Sequence, residues 1–186
     1  MTCPWLELLL RSRKKNPRQR FVQVATVSPN GEPEVRTVVL RGVTAAGTLH
    51  FLADGRSPKM SSLRAKPQLE MCIWWPDSNE QFRLRGPVHI IGDSPVGGTS
   101  PTWESLRTAQ WRGLPSASRV MFLGATPGTP LEVEVDTITT HVGPPPHFQL
   151  VLLHPHRVDH LRLGTPNERQ LFIQRGGSWE HRPVVP

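Results

Sequence analysis

The sequence predicts a mainly β protein, a small β-barrel with peripheral helices. Short segments that alternate apolar and polar residues follow one another between residues 21 and 91, and turn residues separate them. A single short helix interrupts this series, whereas a doubly wound sheet has a helix after nearly every strand. The chain also contains 20 prolines and 15 glycines, which predict many short elements and long connections.

The length is that of one domain. A chain of 186 residues is long enough for a real core, and at this size about 70% of the surface of the unfolded chain is buried on folding. We therefore expect a single domain over 1–186, made of an N-terminal helix and basic segment (1–20), a barrel core (21–91), a helical and loop insertion (92–146) and C-terminal strands (147–186).

The N-terminal segment predicts an amphipathic helix from residue 2 or 3 to about residue 15, with Trp5, Leu8 and Leu9 on one face. The run that follows, Arg11 to Arg20, is strongly basic. It is either a surface for nucleic acid or acidic lipid, or a solvated helix end whose cations complement the helix dipole. We prefer the second interpretation, which is the commoner use of such a run.

Three strands should come next, at 21–27, 34–42 and 48–53, joined by turns of which Asn30-Gly31 is the clearest. Ser57 is then suited to cap a helix that ends near residue 65, since Pro58 fits its first turn and Pro67 stops it. Strands follow at 69–75 and 81–91. Cys72 lies in the apolar strand and is expected to be a buried small hydrophobe.

Beyond residue 92 the signal is weaker. We predict a loop at 93–101, helices at 102–111 and 115–122, and proline and glycine loops at 124–130 and 143–146. A strand at 148–153 should continue, after His154-Pro155, through residues 158 and 161. A hairpin of 170–175 and a strand from residue 179 would close the chain.

Charge and cysteine content limit the partners and the location. The net charge of +7 favours an anionic partner without choosing among a phosphorylated cofactor, nucleic acid and a membrane surface. No apolar run approaches the about 20 residues of a membrane span. The apolar run near the N-terminus contains Glu7, which a signal peptide would not. Two cysteines make no disulfide framework. We therefore expect a cytoplasmic protein.

A flavin mononucleotide (FMN) site has two physical requirements that this chain can meet. The phosphate is a dianion that binds cations and hydroxyls, best at a helix N-terminus, and Arg36, Ser57 and Lys59 can supply them. The ring needs donors at its pyrimidine edge and a wall to lie against. Gln81 can supply a donor, and the backbone from Val38 to Leu40 can pass the ring without any special side chain.

Three segments together resemble the FMN-binding split barrels related to pyridoxamine 5′-phosphate oxidase. The segment 36–41, RTVVLR, resembles the family's Arg-x-Val-Leu-Leu-Lys strand. The segment 51–59, FLADGRSPK, resembles its Phe-Tyr-Thr-Asn stretch followed by Ser-Arg-Lys, and 81–86, QFRLRG, resembles its Gln-Val-x-Val-x-Gly strand. Each segment alone is weak, but the three in one order at similar spacing are fairly specific. The resemblance implies a Greek-key-like, six-stranded split barrel.

The resemblance further implies a homodimer with FMN at its interface and a set of cofactor contacts. The residues implied in FMN binding are Arg36, Thr37, Val38, Val39, Leu40, Ser57, Lys59, Gln81 and, less securely matched, Arg169. A substrate on the open face of the ring would lie near Arg41 and Arg119, whose charges favour an anionic compound.

The departures from the oxidase pattern fall on the substrate side. Arg41 stands where the oxidase has its substrate lysine, and Leu161 where it has a tryptophan beside the flavin. A flavin-binding threonine and a second phosphate-binding arginine appear as Ala53 and Pro58. The chain has no tyrosine to hold the vitamin's phosphate, and 164–167 lacks the Arg-x-His motif. The chain is most similar to an oxidase-related branch whose helix carries the elements Arg107, Trp111 and Arg119.

Other functions have less support in the residues. His154, His156 and His160 lack a further ligand at fixed spacing, so we expect no metal site. Ser116 and Ser118 lack the glycine context of a nucleophile elbow, so hydrolase chemistry is not expected. An FMN-dependent oxidoreductase is the first hypothesis and a flavin- or pyridoxal-phosphate-binding protein without turnover the second. A nucleic-acid-binding barrel ranks last, because few aromatics form a stacking platform.

Overall fold

The computed structural model describes residues 3–92, 101–130 and 143–186. Its elements lie within two residues of the predicted bounds. In chain order they are α1 (Pro4–Lys15), β1 (Phe21–Val27), β2 (Pro33–Val43), β3 (Leu49–Asp54), α2 (Pro58–Ala65), β4 (Gln68–Trp75), β5 (Glu80–Ile91), α3 (Pro101–Gly113), α4 (Ser116–Leu123), β6 (Phe148–Leu153), β7 (Arg157–Arg162), β8 (Glu168–Arg175) and β9 (Ser178–Pro183). All of the predicted loop 93–101 except Pro101 lies outside the described residues.

Six antiparallel strands close into a barrel in the order β1–β2–β3–β6–β5–β4, and β4 pairs again with β1. The prediction of a mainly β protein with a six-stranded barrel is therefore confirmed. The sixth strand, β6, comes from beyond the helical insertion and fills the gap between β3 and β5. Strands β7, β8 and β9 extend the sheet from β5.

The long strand β5 joins the barrel to this extension. Along one edge it pairs first with β7, up to Arg85, and then with β6, from Val88 onward. The backbone of the β6–β7 connection crosses β5 between these two stretches. A Cβ at Gly86 would lie 2.0 Å from the carbonyl oxygen of His154, so only glycine fits at this crossing. The predicted interruption at His154-Pro155 is therefore confirmed.

Residues that are paired across neighbouring strands have their side chains on the same face of the sheet, so each pair points either into the barrel or to its outer surface. Alternate residues of the strands point inward and are fully buried, among them Val24, Met71, Phe82, Leu84 and Val158. The residues between them point outward. Cys72 is one of these and is only half-buried, so the expectation that it is buried in the core was wrong.

Helix α1 closes one end of the barrel, as its apolar face predicts. Trp5 and Leu9 are fully buried, and the side-chain amide of Asn16 donates to Ser78 Oγ over 3.2 Å. The buried Glu80 and His160 lie beneath this helix, with 3.1 Å between Glu80 Oε1 and His160 Nε2. Burial raises the pKa of Glu80, but hydrogen bonds, first from Ser12, outweigh it and hold that pKa below its ordinary value.

Helices α3 and α4 pack on the outside of β6. Trp111, Leu114 and Phe148 form a small buried cluster between them and the strand. Arg107 is buried and donates to the carbonyl oxygens of Phe148 (2.6 Å) and Pro145 (3.0 Å), so it fixes α3 to the start of β6. None of the helices in the described ranges is long and apolar enough to cross a membrane.

Candidate functional site

A cavity of about 420 Å³ lies between β2, β3, the start of α2 and helix α4. Two strands supply one wall and the α4 region supplies the opposite wall. The lining residues are Thr37, Val38, Val39, Arg41, Leu52, Ala53, Asp54, Ser57, Lys59, Leu114, Ser118, Met121, Phe122 and Pro127. The lining therefore contains most of the residues that the sequence predicts to bind a cofactor.

The polar end of the cavity is formed by the turn between β3 and α2. Pro58 occupies the first turn of α2, as predicted, and Ser57 stands at its N-cap position. The Ser57 hydroxyl does not cap the helix. It donates instead to the carbonyl oxygen of Asp54 over 2.6 Å, and it accepts a hydrogen bond of 2.7 Å from Lys59 Nζ. The turn thus holds the ammonium group of Lys59 at the N-terminal end of α2.

Arg36 lies beside this turn, near the start of β2, but does not line the cavity. It donates to Thr26 Oγ1 over 2.7 Å and forms an ion pair of 2.9 Å with Glu34. Glu34 also accepts from Ser62 Oγ over 3.0 Å, and this bond is the largest cause that lowers the pKa of Glu34. Arg36 is close enough to Lys59 that its charge acts on the Lys59 ammonium group.

The cavity lining carries two cations, Lys59 and Arg41, and one carboxylate, Asp54, which is paired with Arg56. Within the described residues, Lys59 and Arg41 have no carboxylate partner, and Arg41 Nε is buried without any hydrogen bond. Burial, then the charge of Arg36, lowers the pKa of Lys59 below its ordinary value. Burial and the charge of Arg20 likewise lower the pKa of Arg41. Half-buried cations without a carboxylate partner are costly, and an anion in the cavity would relieve that cost.

The residues predicted to contact the edge of the ring, Gln81 and Arg169, lie elsewhere on the same chain. Gln81 pairs with Leu161 and Leu161 with Arg169, so these three side chains form a row across the outer face of β5, β7 and β8. We call it the outer row. None of the three lines the cavity. Gln81 on β5 and Thr37 on β2 are three strands apart in either direction around the closed barrel, so they lie on opposite sides of it.

Arg169 in the outer row is already paired. Its Nε and Nη2 donate to the two carboxylate oxygens of Asp159 over 3.0 and 2.9 Å. Arg83 approaches the same carboxylate at 2.5 Å. These hydrogen bonds raise the pKa of Arg169, and the outer row therefore presents donors but little free charge.

Arg119, the other predicted substrate residue, also lies outside the lining. Its Nε donates to the carbonyl oxygen of Leu114 over 3.1 Å, and its guanidinium carbon is 5.9 Å from the centre of the Trp111 ring. The structure therefore brings together Ser57, Lys59, Arg41 and the β2 backbone, with Arg36 beside them. It does not bring Arg119 or the outer row into the same cavity.

The wall formed by α4 was not predicted from the sequence. Ser118, Met121 and Phe122 face the cavity, although the sequence only predicts a short helix in this region. The one signal was the apolar run at 120–123, VMFL, which includes two of the three side chains. Asp54 was missed as well, because nothing in its strand distinguishes it from a residue that ends a strand.

Residues 2–92 match a family model described as pyridoxamine 5′-phosphate oxidase, FMN-binding domain. The matched region contains β1 to β5 and α2, and thus the polar end of the cavity.

Similar proteins match over nearly the whole chain. An Arabidopsis thaliana protein named pyridoxine/pyridoxamine 5′-phosphate oxidase 2 is 34% identical over 178 residues, which cover 91% of this chain and 88% of that protein. A Nostoc punctiforme structure, a pyridoxamine 5′-phosphate oxidase-related, FMN-binding protein, aligns over 100% of both chains with a TM-score of 0.89 and 32% identity. PhzG from Burkholderia lata, solved with tetrahydrophenazine-1-carboxylic acid, aligns over 97% of this chain and 90% of its own with a TM-score of 0.78. At 17% identity that likeness shows the fold alone. The chain thus belongs to the pyridoxamine 5′-phosphate oxidase-like family, whose cofactor is FMN.

Proposed function

We propose that this protein is an FMN-dependent oxidoreductase that acts, as a homodimer, on an anionic small molecule. The observation that carries the proposal is the pair of half-buried cations in the cavity, Lys59 and Arg41, which have no carboxylate partner within the described residues. Two such cations fit two anionic groups, one from the cofactor and one from a substrate.

The phosphate of FMN would bind at the turn between β3 and α2. Lys59 Nζ can donate to the phosphate there, and Ser57 Oγ, 2.7 Å from it, orients the ammonium group while its own proton stays on the carbonyl oxygen of Asp54. Arg36 would add a second cationic donor by releasing part of its contact with Glu34. The start of α2 contributes the positive end of a helix dipole, which favours an anion at the same point.

The ring would lie along the backbone of β2 from Val38 to Leu40, of which Val38 and Val39 line the cavity. When bound, FMN supplies a ring that accepts a hydride at N5. The chain's part is to hold that ring, keep water from its inner face and supply donors to its pyrimidine edge, where negative charge accumulates on reduction.

Those donors would come from a second copy of the chain. Gln81 lies on the outer surface of β5, on the opposite side of the barrel from β2, and Arg169 lies farther out on β8, so one copy has no means to close both ends of the site. The outer face near Gln81 also carries exposed apolar side chains that an interface would cover, among them Phe21 (49% exposed) and Trp74 (36%). A two-fold pairing would place one copy's outer row over the other copy's cavity.

Arg41 would bind the anionic group of the substrate. It occupies the β2 face next to the proposed ring position, and its Nε is buried without a partner. The rest of the substrate would meet Leu114, Met121 and Phe122, a largely apolar wall. The Arabidopsis relative is named for substrates that carry a phosphate. Here the cation is an arginine, whose planar fork also suits a carboxylate.

The test begins with the ligand that accompanies the purified protein. We expect the visible absorption bands of oxidised flavin and the mass of FMN after release by denaturation. The apo-protein should then bind FMN more tightly than riboflavin, because riboflavin lacks the phosphate. Equal affinity for the two, or no flavin binding, would overturn the assignment of the polar end.

Turnover is tested separately with the FMN-loaded dimer. Pyridoxamine 5′-phosphate and a series of aromatic carboxylates are offered with oxygen as acceptor, and an Arg41→Ala variant serves as the comparison. We expect the substrate's KM to rise in Arg41→Ala while FMN affinity stays within about threefold of the wild-type value. If no substrate or oxidant reoxidises the chemically reduced flavin, the result would indicate the alternative, a flavin-binding protein without turnover.

A further inference from the structure

Helix α4 forms one wall of the cavity although none of its residues is buried. Phe122 is its main apolar anchor, with ring centroids 4.8 Å from Phe148 and 6.4 Å from Trp111. Of the other wall residues, Ser118 is half-buried and Met121 is 75% exposed. This apolar packing, shared with Leu123, lies near the C-terminal end of α4, so polar contacts at that end help to hold the wall in place.

Those contacts lie at the C-terminal end of α4, where the last carbonyl groups of any helix lack intrahelical partners. Arg56 Nη1 donates to the carbonyl oxygen of Gly124 over 3.0 Å, and Nη2 approaches that of Phe122 at 3.4 Å. His147 Nε2 forms a further short contact with the Phe122 carbonyl oxygen. A guanidinium at this end also complements the negative pole of the helix dipole.

Arg56 is itself held by Asp54. The Asp54 carboxylate accepts from the backbone amide of Arg56 over 2.8 Å and from its Nε and Nη2 over 3.0 and 2.7 Å. Burial raises the pKa of Asp54, but the hydrogen bonds from Arg56 outweigh it and keep that pKa below its ordinary value. The pair is therefore ionised at neutral pH, and its bidentate geometry fixes the direction of the guanidinium.

The same turn carries the proposed phosphate-binding residues. The carbonyl oxygen of Asp54 accepts from Ser57 Oγ, which in turn accepts from Lys59 Nζ. A continuous series of hydrogen bonds thus runs from Lys59 through Ser57, Asp54 and Arg56 to the end of α4. The end that would hold the phosphate and the wall that a substrate would meet are parts of one network.

We propose that Arg56 is a positioning residue that ties helix α4 to the phosphate-binding turn, so that FMN binding fixes the wall that selects the substrate. This inference rests on the proposed function, because it takes the phosphate to bind at Ser57 and Lys59. With α4 fixed, the wall presents Ser118 Oγ, Met121 and Phe122 at a set distance from β2. That distance limits the thickness of the molecule that can enter and favours a flat compound.

The inference is tested by the reactivity of a thiol placed in the wall. Ser118→Cys is made in a chain that also carries Cys3→Ser and Cys72→Ala, so that residue 118 holds the only thiol. Its reaction with Ellman's reagent is followed with and without saturating FMN. The same measurement is made with Arg56→Ala, with Arg56→Lys and with a control, Arg112→Ala, which removes an exposed arginine of α3 that does not line the cavity.

In the reference chain we expect FMN to slow the reaction by at least about tenfold, because the bound flavin and the fixed wall exclude the reagent. Arg56→Ala should reduce this protection to less than about twofold at saturating FMN. Arg56→Lys keeps a charge beside Asp54 but lacks a fork that bonds to both groups, so its protection should be intermediate. Arg112→Ala should behave as the reference chain.

The outcomes separate the two levels of inference. If FMN binds but does not protect the thiol in the reference chain, the flavin lies outside this cavity and the proposed function is wrong. If FMN protects the thiol equally in the reference chain and in Arg56→Ala, Arg56 does not position the wall. A general loss of structure in Arg56→Ala would instead appear as lost FMN binding and a lowered melting temperature, and Arg56→Lys then decides, because equal protection in that variant also contradicts the proposal.

Discussion

The cavity and the outer row use their charges in different ways. In the cavity, Lys59 and Arg41 are half-buried, and within the described part of the chain neither has a carboxylate partner. In the outer row, Arg169 is held by both oxygens of Asp159, and Arg83 binds the same carboxylate. The fold therefore maintains unpaired positive charge in one place and neutralises it in the other.

The difference indicates what each region contributes to the proposed site. Unpaired cations supply affinity for an anion, because binding removes the cost of their burial. A neutralised arginine and a glutamine supply directed hydrogen bonds with little net charge, which suits the edge of a ring rather than a phosphate. Affinity for FMN should thus depend mainly on the cavity, and discrimination among rings on the outer row.

The largest expected effect is that of Lys59→Ala. Removal of a charge-assisted contact to the phosphate should weaken FMN binding by about 10–100-fold, and Arg36→Ala should do the same. Riboflavin affinity should change little, so the preference for FMN over riboflavin should fall by a similar factor. Titration of the apo-protein with both ligands measures this, and Arg112→Ala is the control. Unchanged FMN affinity in both variants would remove the contrast between the two regions.

The charge of Lys59 also predicts a pH dependence. Because burial and Arg36 lower the pKa of Lys59, FMN affinity should fall as the pH rises through that lowered value, before an ordinary lysine of pKa about 10.4 would lose its proton. The free energy of unfolding of the apo-protein should instead rise with pH over the same interval, because the unfolded chain there binds more protons than the folded one. Lys59→Arg, which stays protonated, should keep its FMN affinity to higher pH. An identical alkaline decline in both proteins would assign it to another group.

Gln81→Ala tests the outer row, with a smaller expected effect. Loss of one neutral hydrogen bond should weaken FMN binding by about 3–10-fold. If the glutamine acts from a second copy, wild-type affinity should also decline when the protein is diluted below its dimer dissociation constant, and sedimentation velocity gives the oligomeric state in the same buffer. Affinity that is independent of dilution, or a wild-type protein that binds FMN as a monomer, would contradict the division of the site between two chains.

Met121→Ala should have the smallest effect of the series. Its side chain is 75% exposed, so the free energy of unfolding should change by less than about 0.5 kcal/mol. FMN affinity should stay within about twofold, because the wall contributes neither charge nor ring-edge donors. Chemical denaturation and FMN titration measure both quantities. A large loss of FMN affinity would mean that the wall belongs to the cofactor region rather than the substrate region.

The barrel was predictable because its residues obey local rules. Phe82 and Leu84 alternate with Gln81 and Arg83, which marks both the strand and the face that each residue occupies. The polar end of the cavity was predictable for a similar reason, since a serine and a proline before a lysine are typical of a helix start. Gln81 was named from the chain alone as a possible ring donor, and the resemblance to a known family added Arg169 and the second copy through which both residues could meet the cavity.

The α4 wall was not predictable because its position depends on main-chain groups. Arg56 binds the carbonyl oxygens of Phe122 and Gly124, and every residue has a carbonyl group, so the sequence does not show which pair will meet. Arg107 illustrates the same point. The family resemblance names it as one element of a helix, and the structure shows it buried against the carbonyl groups of Pro145 and Phe148.

Gly86 determines how the chain can pass from β6 to β7. The absence of a single methyl group lets the carbonyl of His154 lie against β5, so that one strand can serve the barrel and its extension in turn. A larger residue there would force the chain between β6 and β7 outward, and would move the part of the outer row on β7 and β8 away from the barrel. The point at which the barrel and its extension meet therefore depends on backbone clearance at one position rather than on side-chain packing.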